Sequence, residues 1–99
     1  MDLDLLDQEV ARRTEVWSAS GASWELKHGA LTPKPAAWVR IETSDASGEL
    51  ILWVSGEAEM AWVRPIPDGE IHQEHYEISG ELGLRGCLDD LEGHLGIRT

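Results

Sequence analysis

The amino-acid sequence predicts an α+β fold, a two-layer sandwich in which N- and C-terminal helices pack on one face of a mainly antiparallel sheet of about four to five strands. Near both ends of the chain, apolar residues recur at helical spacing. Between them, short segments rich in tryptophan and aliphatic residues alternate with polar residues, and compact turn signals separate these segments. The 99 residues suffice for a single domain, residues 1–99, with one modest core.

The first predicted element is a helix from about Leu3 to Ala19. Its apolar residues recur at steps of three, four and seven, which places them on one helix face. They are Leu3, Leu6, Val10 and Trp17. Asp2 or Asp4 is expected to cap the helix, and Gly21 is expected to end it.

A short strand and a proline-containing connection are expected to follow. Ser23 to Lys27 places Trp24 and Leu26 on one side, which is typical of a strand. Proline lacks a backbone donor, so the P-K-P triplet excludes a central strand here. The sequence therefore predicts an extended connection over His28 to Ala36.

The tryptophan-rich middle of the chain predicts a three-stranded meander over Trp38–Thr43, Glu49–Val54 and Glu57–Arg64. Residues 46–48 are expected to form a three-residue loop and residues 55–56 a two-residue turn, since each segment ends in glycine. A two- or four-residue first loop is expected to scatter charges onto both faces. The predicted pairs are Ile41 with Trp53, Thr43 with Ile51, Val54 with Glu57, Trp53 with Ala58, and Ile51 with Met60.

This register assigns each strand residue to one face of the sheet, because side chains alternate strictly. The expected core face contains Val39, Ile41, Ile51, Trp53, Ala58, Met60 and Trp62. The other face collects Trp38, Arg40, Glu42, Leu50, Leu52, Val54, Glu57 and Glu59. Trp53 and Trp62 are therefore expected to be core residues. For Trp38 two interpretations stay open: a binding residue beside charged groups, or a ring covered by the Pro33–Pro35 segment.

The rest of the chain predicts a turn, a last strand and a helix. The turn contains Pro65, Pro67, Asp68 and Gly69. The strand is expected over Glu70 to Ile78, and Ser79 is expected to cap a helix from about Gly80 to Leu95 that ends at Gly96. The buried stripe of this helix is Leu84, Leu88, Leu91 and Leu95.

The chain is strongly acidic, with 8 Lys and Arg, 19 Asp and Glu, and a formal net charge of −11. Such a chain repels phosphate backbones and anionic lipids, so we expect no nucleic-acid and no membrane partner. Two interpretations of the charge stay open: it steers the chain toward basic partners, or it serves solubility alone. The first residues lack the basic and apolar regions of a secretory signal, and no apolar run approaches the ~20 residues of a membrane span, so we expect a cytoplasmic protein.

No residue pattern indicates a catalytic, cofactor-binding or metal-binding site. His72 and His75 are three residues apart on a strand and point to opposite faces, so they do not converge on one metal ion. Cys87 lies on the leucine stripe, where a free cysteine behaves as a small core residue. The strand glutamates are typical of a solvated surface rather than of an acid–base pair in a cleft. We therefore expect a protein that acts by contact and is not an enzyme.

Two blocks of sequence carry a resemblance to a known family. They are W-V-R-I-E (Trp38 to Glu42) and G-E-L-I-L-W-V-S-G-E-A-E (Gly48 to Glu59), and a later H-Y-E-I segment and the leucine-rich terminal helix add to it. These residues resemble the TriTu family of immunity proteins from bacterial polymorphic toxin systems. The resemblance implies a non-catalytic cytoplasmic antidote that binds and neutralises a cognate toxin, without cofactor or metal.

The acidic composition suggests how such an antidote binds its toxin. Carboxylates can occupy the positions at which a basic toxin, such as a nuclease, binds phosphate. The expected partner-binding residues are Trp38, Arg40, Glu42, Glu57, Glu59, Asp68, Glu70 and Glu74. The alternative is an acidic secretion chaperone or another protein-binding module, and the sequence leaves open whether the chain is a monomer or a dimer. A small enzyme is a third class, for which no residue nominates a reaction.

Overall fold

The structure is a computed structural model, and it describes residues 1–30, 33–66 and 69–97. The elements in chain order are α1 (Asp4–Ala19), β1 (Ser23–Ala30), β2 (Pro35–Glu42), β3 (Ser47–Trp53), β4 (Glu57–Val63), β5 (Ile71–Glu77) and α2 (Glu81–Leu95). The strands form one antiparallel sheet in the order β1-β2-β3-β4-β5. The predicted α+β class, with two terminal helices and an antiparallel sheet, is confirmed.

The first helix begins and ends close to its predicted positions. The backbone N–H of Asp4 donates to Asp2 Oδ1 at 2.9 Å, so Asp2 satisfies one donor of the first turn, while Leu3 holds the N-cap position. Gly21 follows the helix with a φ of 78°, a left-handed conformation that ends it as predicted.

The second helix matches its predicted C-terminus but not its predicted cap. Gly96 ends α2 with a φ of 74°. The N-cap residue is Gly80, and no side chain caps the first turn, so the predicted Ser79 cap is wrong. Packing of α2 on the sheet therefore supplies the stability that its N-terminus lacks.

The first strand is longer than predicted. It runs to Ala30, which pairs with Pro35 at the start of β2. The predicted connection over His28–Ala36 is therefore wrong at both ends, and residues 31–32 lie outside the described part of the chain. Proline is tolerated at the first position of β2. Its carbonyl accepts the N–H of Val54 at 3.1 Å, and the Val54 carbonyl accepts from the N-terminal ammonium of Met1 at 2.6 Å instead of from a backbone N–H of residue 35.

The register between β2 and β3 also differs from the prediction. Ile41 pairs with Gly48 instead of Trp53, and residues 43–46 connect the strands rather than residues 46–48. This register is offset by an odd number of residues from the predicted one. Because side chains alternate along a strand, β3 presents to the core the face that was predicted to point away from it.

The turn between β3 and β4 is one residue longer than predicted. The N–H of Gly56 donates to the carbonyl of Trp53 at 2.9 Å, and Gly56 has a φ of 93°. The loop is therefore residues 54–56, with glycine in the left-handed position. Leu52 pairs with Ala58, where Trp53 was predicted.

The two errors of register cancel on β4 and invert only β3. Leu50 and Leu52 lie in the core with 0% exposure, where Ile51 and Trp53 were predicted. The core residues predicted on the flanking strands are buried: Val39, Ile41, Ala58 and Met60. Trp62 packs on the same side and is partly buried.

Both helices pack on this core face of the sheet. The predicted stripe of α2, Leu84, Leu88, Leu91 and Leu95, is buried. Gly48 allows α2 to approach the sheet, because a Cβ at this position would lie 2.8 Å from Leu91 Cδ1 and 3.0 Å from Leu95 Cδ2. The helix α1 contributes Trp17, whose ring meets that of Trp24 edge to face at a centroid distance of 5.8 Å.

Two buried carboxylates join the helices to each other. Glu9 and Glu92 are 2% and 3% exposed. Arg13 donates to Glu92 Oε1 at 2.8 Å, and Trp17 Nε1 donates to Glu92 Oε2 at 2.6 Å. Arg85 Nε donates to Glu9 Oε1 at 2.9 Å, and this contact raises the pKa of Arg85. Each buried charge thus has a partner on the opposite helix, which offsets its desolvation.

Candidate protein-binding face

The side of the sheet opposite the helices is the open face. It consists of the odd-numbered residues of β1, β3, β4 and β5 and the even-numbered residues of β2. The register aligns these residues in rows that cross all five strands. One row is Lys27, Trp38, Ile51, Glu59 and His75, and the next is Glu25, Arg40, Glu49, Ala61 and Gln73.

An apolar patch lies on β2 and β3, in the two rows of the open face nearest the β3–β4 turn. Trp38, Ile51 and Trp53 are partly exposed there. The Trp38 ring lies over β1, because a Cβ on Gly29 would come within 3.1 Å of Trp38 Cη2. Ala36, flanked by the two tryptophans, is only 1% exposed. Aromatic side chains that stay partly exposed on a flat surface are typical anchors of protein–protein contacts.

Carboxylates flank this patch on β3 and β4, and on the whole open face they outnumber the cations. The glutamates are Glu25, Glu42, Glu49, Glu57, Glu59 and Glu77, and the permanent cations are Lys27 and Arg40. Lys27 pairs with Glu25 at 2.9 Å and Arg40 with Glu49 at 3.3 Å. Glu42 has no ion pair within the described residues. The open face therefore keeps an excess of negative charge after its internal pairs are counted.

One histidine of the open face lies between two carboxylates. His75 Nδ1 is 2.6 Å from Glu59 Oε1, and its Nε2 is 3.7 Å from Glu77 Oε1. The hydrogen bond to Glu59 is the main reason that the pKa of His75 is raised above its ordinary value. The imidazole therefore keeps its proton to higher pH than a free histidine.

The structure brings most of the predicted partner-binding residues together. Trp38, Arg40, Glu42, Glu57 and Glu59 all lie on the open face.

Two further predicted residues lie elsewhere. Glu74 lies on the helix side of β5, where its carboxylate accepts the hydroxyl of Tyr76. Glu70 is exposed just before β5. Asp68 lies outside the described residues. The described residues of the predicted set therefore divide into five on the open face and two, Glu70 and Glu74, beside or on β5.

Sequence reasoning missed two apolar residues of this face, Ile51 and Trp53, because it inverted β3. A signal was present in the sequence. Glu49 has the same parity as Ile51 and Trp53, so a core that contained those two residues would also have contained a glutamate. The observed register instead places Glu49 beside Arg40 on the open face.

Cys87, His72 and His94 on the helix side take part in packing. Cys87 is buried, and burial raises the pKa of its thiol to about 11, so it stays protonated at neutral pH. His72 and His94 stack on the ring of Trp62 at centroid distances of 5.3 and 3.7 Å. Because His72 points to this side and His75 to the open face, the predicted divergence of the two histidines is confirmed.

A group of three possible metal ligands lies at the N-terminus of α1. Asp4, Asp7 and His28 bring one ligand atom each within 4.8 Å of one another. His28 Nε2 already contacts Asp7 Oδ1 at 2.6 Å, and the positive end of the helix dipole disfavours a cation there. These contacts tie β1 to α1.

In the described part of the chain, neither helix is long and apolar enough to cross a membrane.

Comparison with known proteins identifies the family. No curated protein and no solved structure matches the chain significantly. A family model described as Immunity protein TriTu matches residues 4–91, which include α1, the whole sheet and α2 as far as Leu91. The chain therefore belongs to the TriTu family of immunity proteins.

Proposed function

We propose that this protein is a non-catalytic antidote that binds a cognate bacterial toxin domain through the open face and neutralises it. Membership of an immunity-protein family supports an antidote role. The observation that supports the open face as the binding surface is its apolar patch with two tryptophans, which glutamates flank and both helices leave uncovered. A polar rim around an apolar centre is the usual anatomy of a protein-binding surface.

The charge of the open face supports a basic toxin as the partner. Six glutamates and two permanent cations lie on this face, and the whole chain has a net charge of −11. A toxin that acts on nucleic acid presents a basic surface to phosphate, and carboxylates can cover such a surface. Under this proposal the antidote acts in the cytoplasm, binds neither nucleic acid nor membrane directly, and blocks a nuclease-like toxin by contact.

The first test is protection of growing cells. A candidate toxin domain, sought among the genes next to that of this chain, is expressed in a laboratory bacterium with and without this chain. We expect growth only when both are present, and a one-to-one complex of the purified proteins in light scattering. Absence of protection would contradict the antidote role. A dimer that holds an unfolded client instead of a folded toxin would indicate the secretion-chaperone alternative.

A charge-reversal pair tests whether the open face is the contact surface. Glu42→Lys and Glu15→Lys change the net charge equally, and neither glutamate has an ion pair within the described residues. Glu42 lies on the open face and Glu15 on α1. We expect Glu42→Lys to lower the association rate with the toxin and its dependence on salt, and Glu15→Lys to change both much less. Equal effects would mean that only the net charge matters.

An apolar pair tests the centre of the surface. Trp38→Ala removes the ring that lies over Gly29, whereas Leu82→Ala truncates a residue of α2 that is 79% exposed and away from the open face. We expect the first variant to weaken toxin binding at least about tenfold and the second to leave it unchanged, as measured by calorimetry. Unchanged binding by a folded Trp38→Ala variant would exclude the proposed centre.

A further inference from the structure

The last strand of the sheet differs from the others in its surroundings. Among the described residues, β5 has a strand neighbour on one side only, and the helix α2 packs mainly over β3 and β4. Consequently five consecutive residues of β5, Ile71 to His75, are exposed whichever face they point to. Among them, the large aliphatic side chain of Ile71 is 72% exposed. The strand therefore offers a free backbone edge with little side-chain cover.

The hydrogen-bond pattern shows which backbone groups this edge presents. The N–H of Ile78 donates to the carbonyl of Gly56 at 2.8 Å, so even-numbered residues here bond toward β4. Antiparallel ladders alternate residue by residue. The N–H and C=O groups of Ile71, Gln73, His75 and Glu77 therefore point to the free edge.

The opposite edge of the sheet is better protected. β1 carries Lys27, and its neighbour His28 contacts Asp7 of α1 at 2.6 Å. Lysine on an edge strand and cover by a neighbouring element are common protections against strand addition. β5 has no proline, lysine or arginine, and its pairing with β4 is regular over all seven residues.

The charges near this edge restrict what can pair with it. From residue 70 to 77 the chain contains Glu70, Glu74 and Glu77 and no lysine or arginine. A second copy of β5 paired antiparallel about its centre would place Glu74 opposite Glu74, and like charges directly opposite destabilise a sheet. The same carboxylates favour a basic strand, so they select against self-association and for a partner of opposite charge.

We propose that the free edge of β5 binds an extended, lysine- or arginine-rich segment of a partner protein by adding it as a sixth strand. The backbone groups of the odd-numbered β5 residues supply the hydrogen bonds, and the glutamates supply the preference for basic side chains. This inference rests on the proposed function only for the identity of the partner, which is then a basic segment of the toxin. The added strand would extend the open face past His75.

A synthetic peptide tests the edge without the toxin. The probe is a blocked peptide of alternating lysine and threonine, as long as β5, and its control carries glutamate in place of lysine. We expect the basic peptide to slow amide hydrogen exchange at Ile71, Gln73, His75 and Glu77 at least about tenfold in the wild-type protein. The free-edge amides of β1, at Trp24, Leu26 and His28, are the internal control and should not change.

A proline substitution separates the contribution of the backbone edge to peptide binding from that of the side chains. Gln73→Pro removes an N–H that points to the free edge and keeps the ladder to β4, whereas Gln73→Ala removes the side chain and keeps the N–H. We expect the peptide to bind Gln73→Ala as it binds the wild type, and to bind Gln73→Pro about tenfold more weakly. Circular dichroism checks that both variants fold.

Three outcomes would overturn the proposal. Equal binding by both Gln73 variants, together with unchanged edge amides, would mean attraction by charge alone. Slow exchange of the edge amides that depends on protein concentration would mean that a second copy occupies the edge. No binding of the basic peptide would mean that the edge accepts no such strand. Each of these results leaves neutralisation of the toxin to be judged by growth protection, so the two proposals can fail separately.

Discussion

At the scale of single residues, the buried carboxylate of Glu92 is the side chain on which the helix pair depends most. It is 3% exposed and accepts from both Arg13 and Trp17 of α1. Glu92→Ala leaves the Arg13 charge and the indole N–H without this acceptor, and the loss of one partner of a buried ion pair costs about 3–5 kcal/mol. Asp89 and Glu9 also contact Arg13, so we expect a loss near the lower value. Urea unfolding measures it.

Two further variants show whether burial causes this effect. Asp89 bonds the same guanidinium, but its side chain is 68% exposed, so Asp89→Ala is expected to cost no more than about 1 kcal/mol. Glu92→Gln keeps an acceptor for Trp17 and loses only the charge, and we expect an intermediate loss. If Asp89→Ala proved as costly as Glu92→Ala, the ion pair itself rather than its burial would carry the stability.

The imidazole of His75 gives the protein a pH-dependent contribution to stability. Its pKa is raised by the hydrogen bond to Glu59. Folding therefore favours the protonated form, and the stabilisation is complete below the unfolded pKa near 6.5 and is lost as the pH rises through the raised folded pKa. We expect stability to fall less between about pH 6 and pH 8 in His75→Gln than in the wild type. Thermal unfolding across this range is the measurement.

The same contact supplies the control for His75. Glu59→Gln removes the partner that raises the pKa, so it is expected to flatten the same part of the profile as His75→Gln. Gln73→Ala changes the open face without a titrating group and should keep the wild-type slope. A wild-type slope in both the His75 and the Glu59 variants would assign the pH dependence to another group.

At the scale of elements, Gly48 decides how closely α2 lies on the sheet, and the exposed Gly86 of α2 is its control. A Cβ at Gly48 would meet Leu91 at 2.8 Å, whereas a Cβ at Gly86 meets nothing within 4 Å. We expect Gly48→Ala to lower the free energy of unfolding by about 1–3 kcal/mol through overpacking. Gly86→Ala should raise it by up to about 1 kcal/mol, because alanine favours the helix. Urea unfolding of both variants gives the two signs, and a stabilising Gly48→Ala would show that α2 can move away.

Much of the fold follows from local patterns, and the errors have identifiable causes. The leucine stripe of α2 and the glycines after both helices fix those elements without any tertiary information. The register of β3 depends instead on the parity of a loop, which local residues specify weakly. Two errors of parity, in the loops before and after β3, cancelled and left β2 and β4 correctly oriented. For that reason the five predicted binding residues of β2 and β4 share the open face, whereas Trp53 of β3 lies on the face opposite to its predicted one.

The candidate site was only partly accessible to sequence reasoning for a similar reason. Trp38, Arg40 and Glu42 share a face by alternation within one strand, which the sequence shows directly. His75 and Gln73 of β5 share rows of the open face with Trp38 and Arg40, but their positions depend on strand pairing across the segment around residues 64–70, which the sequence does not specify. The free edge of β5 depends on which strands are terminal in the sheet, and only the assembled topology gives that.

At the scale of the whole molecule, the net charge of −11 makes both the stability of the fold and its binding to a toxin depend on salt, but in opposite directions. Like charges repel one another in the compact state, so added salt screens an unfavourable term and stabilises the fold. The buried pairs of Glu9 and Glu92 are screened little, and exposed pairs contribute little, so neither reverses this effect. Attraction to a basic toxin is screened by the same ions and weakens.

We therefore expect stability and binding to respond in opposite directions when sodium chloride rises from about 20 mM to about 500 mM. At the lower concentration the electrostatic screening length is comparable to the width of the sheet, and at the higher one it is much shorter. The melting temperature of the free protein should rise, and the association rate with the toxin should fall at least about tenfold. Calorimetry and stopped-flow mixing measure the two quantities. In Glu42→Lys the rise in melting temperature should persist while the salt dependence of association shrinks, because one substitution leaves most of the net charge but alters the open face. A melting temperature that falls with salt would mean that ion pairs, rather than net repulsion, dominate the electrostatics of this fold.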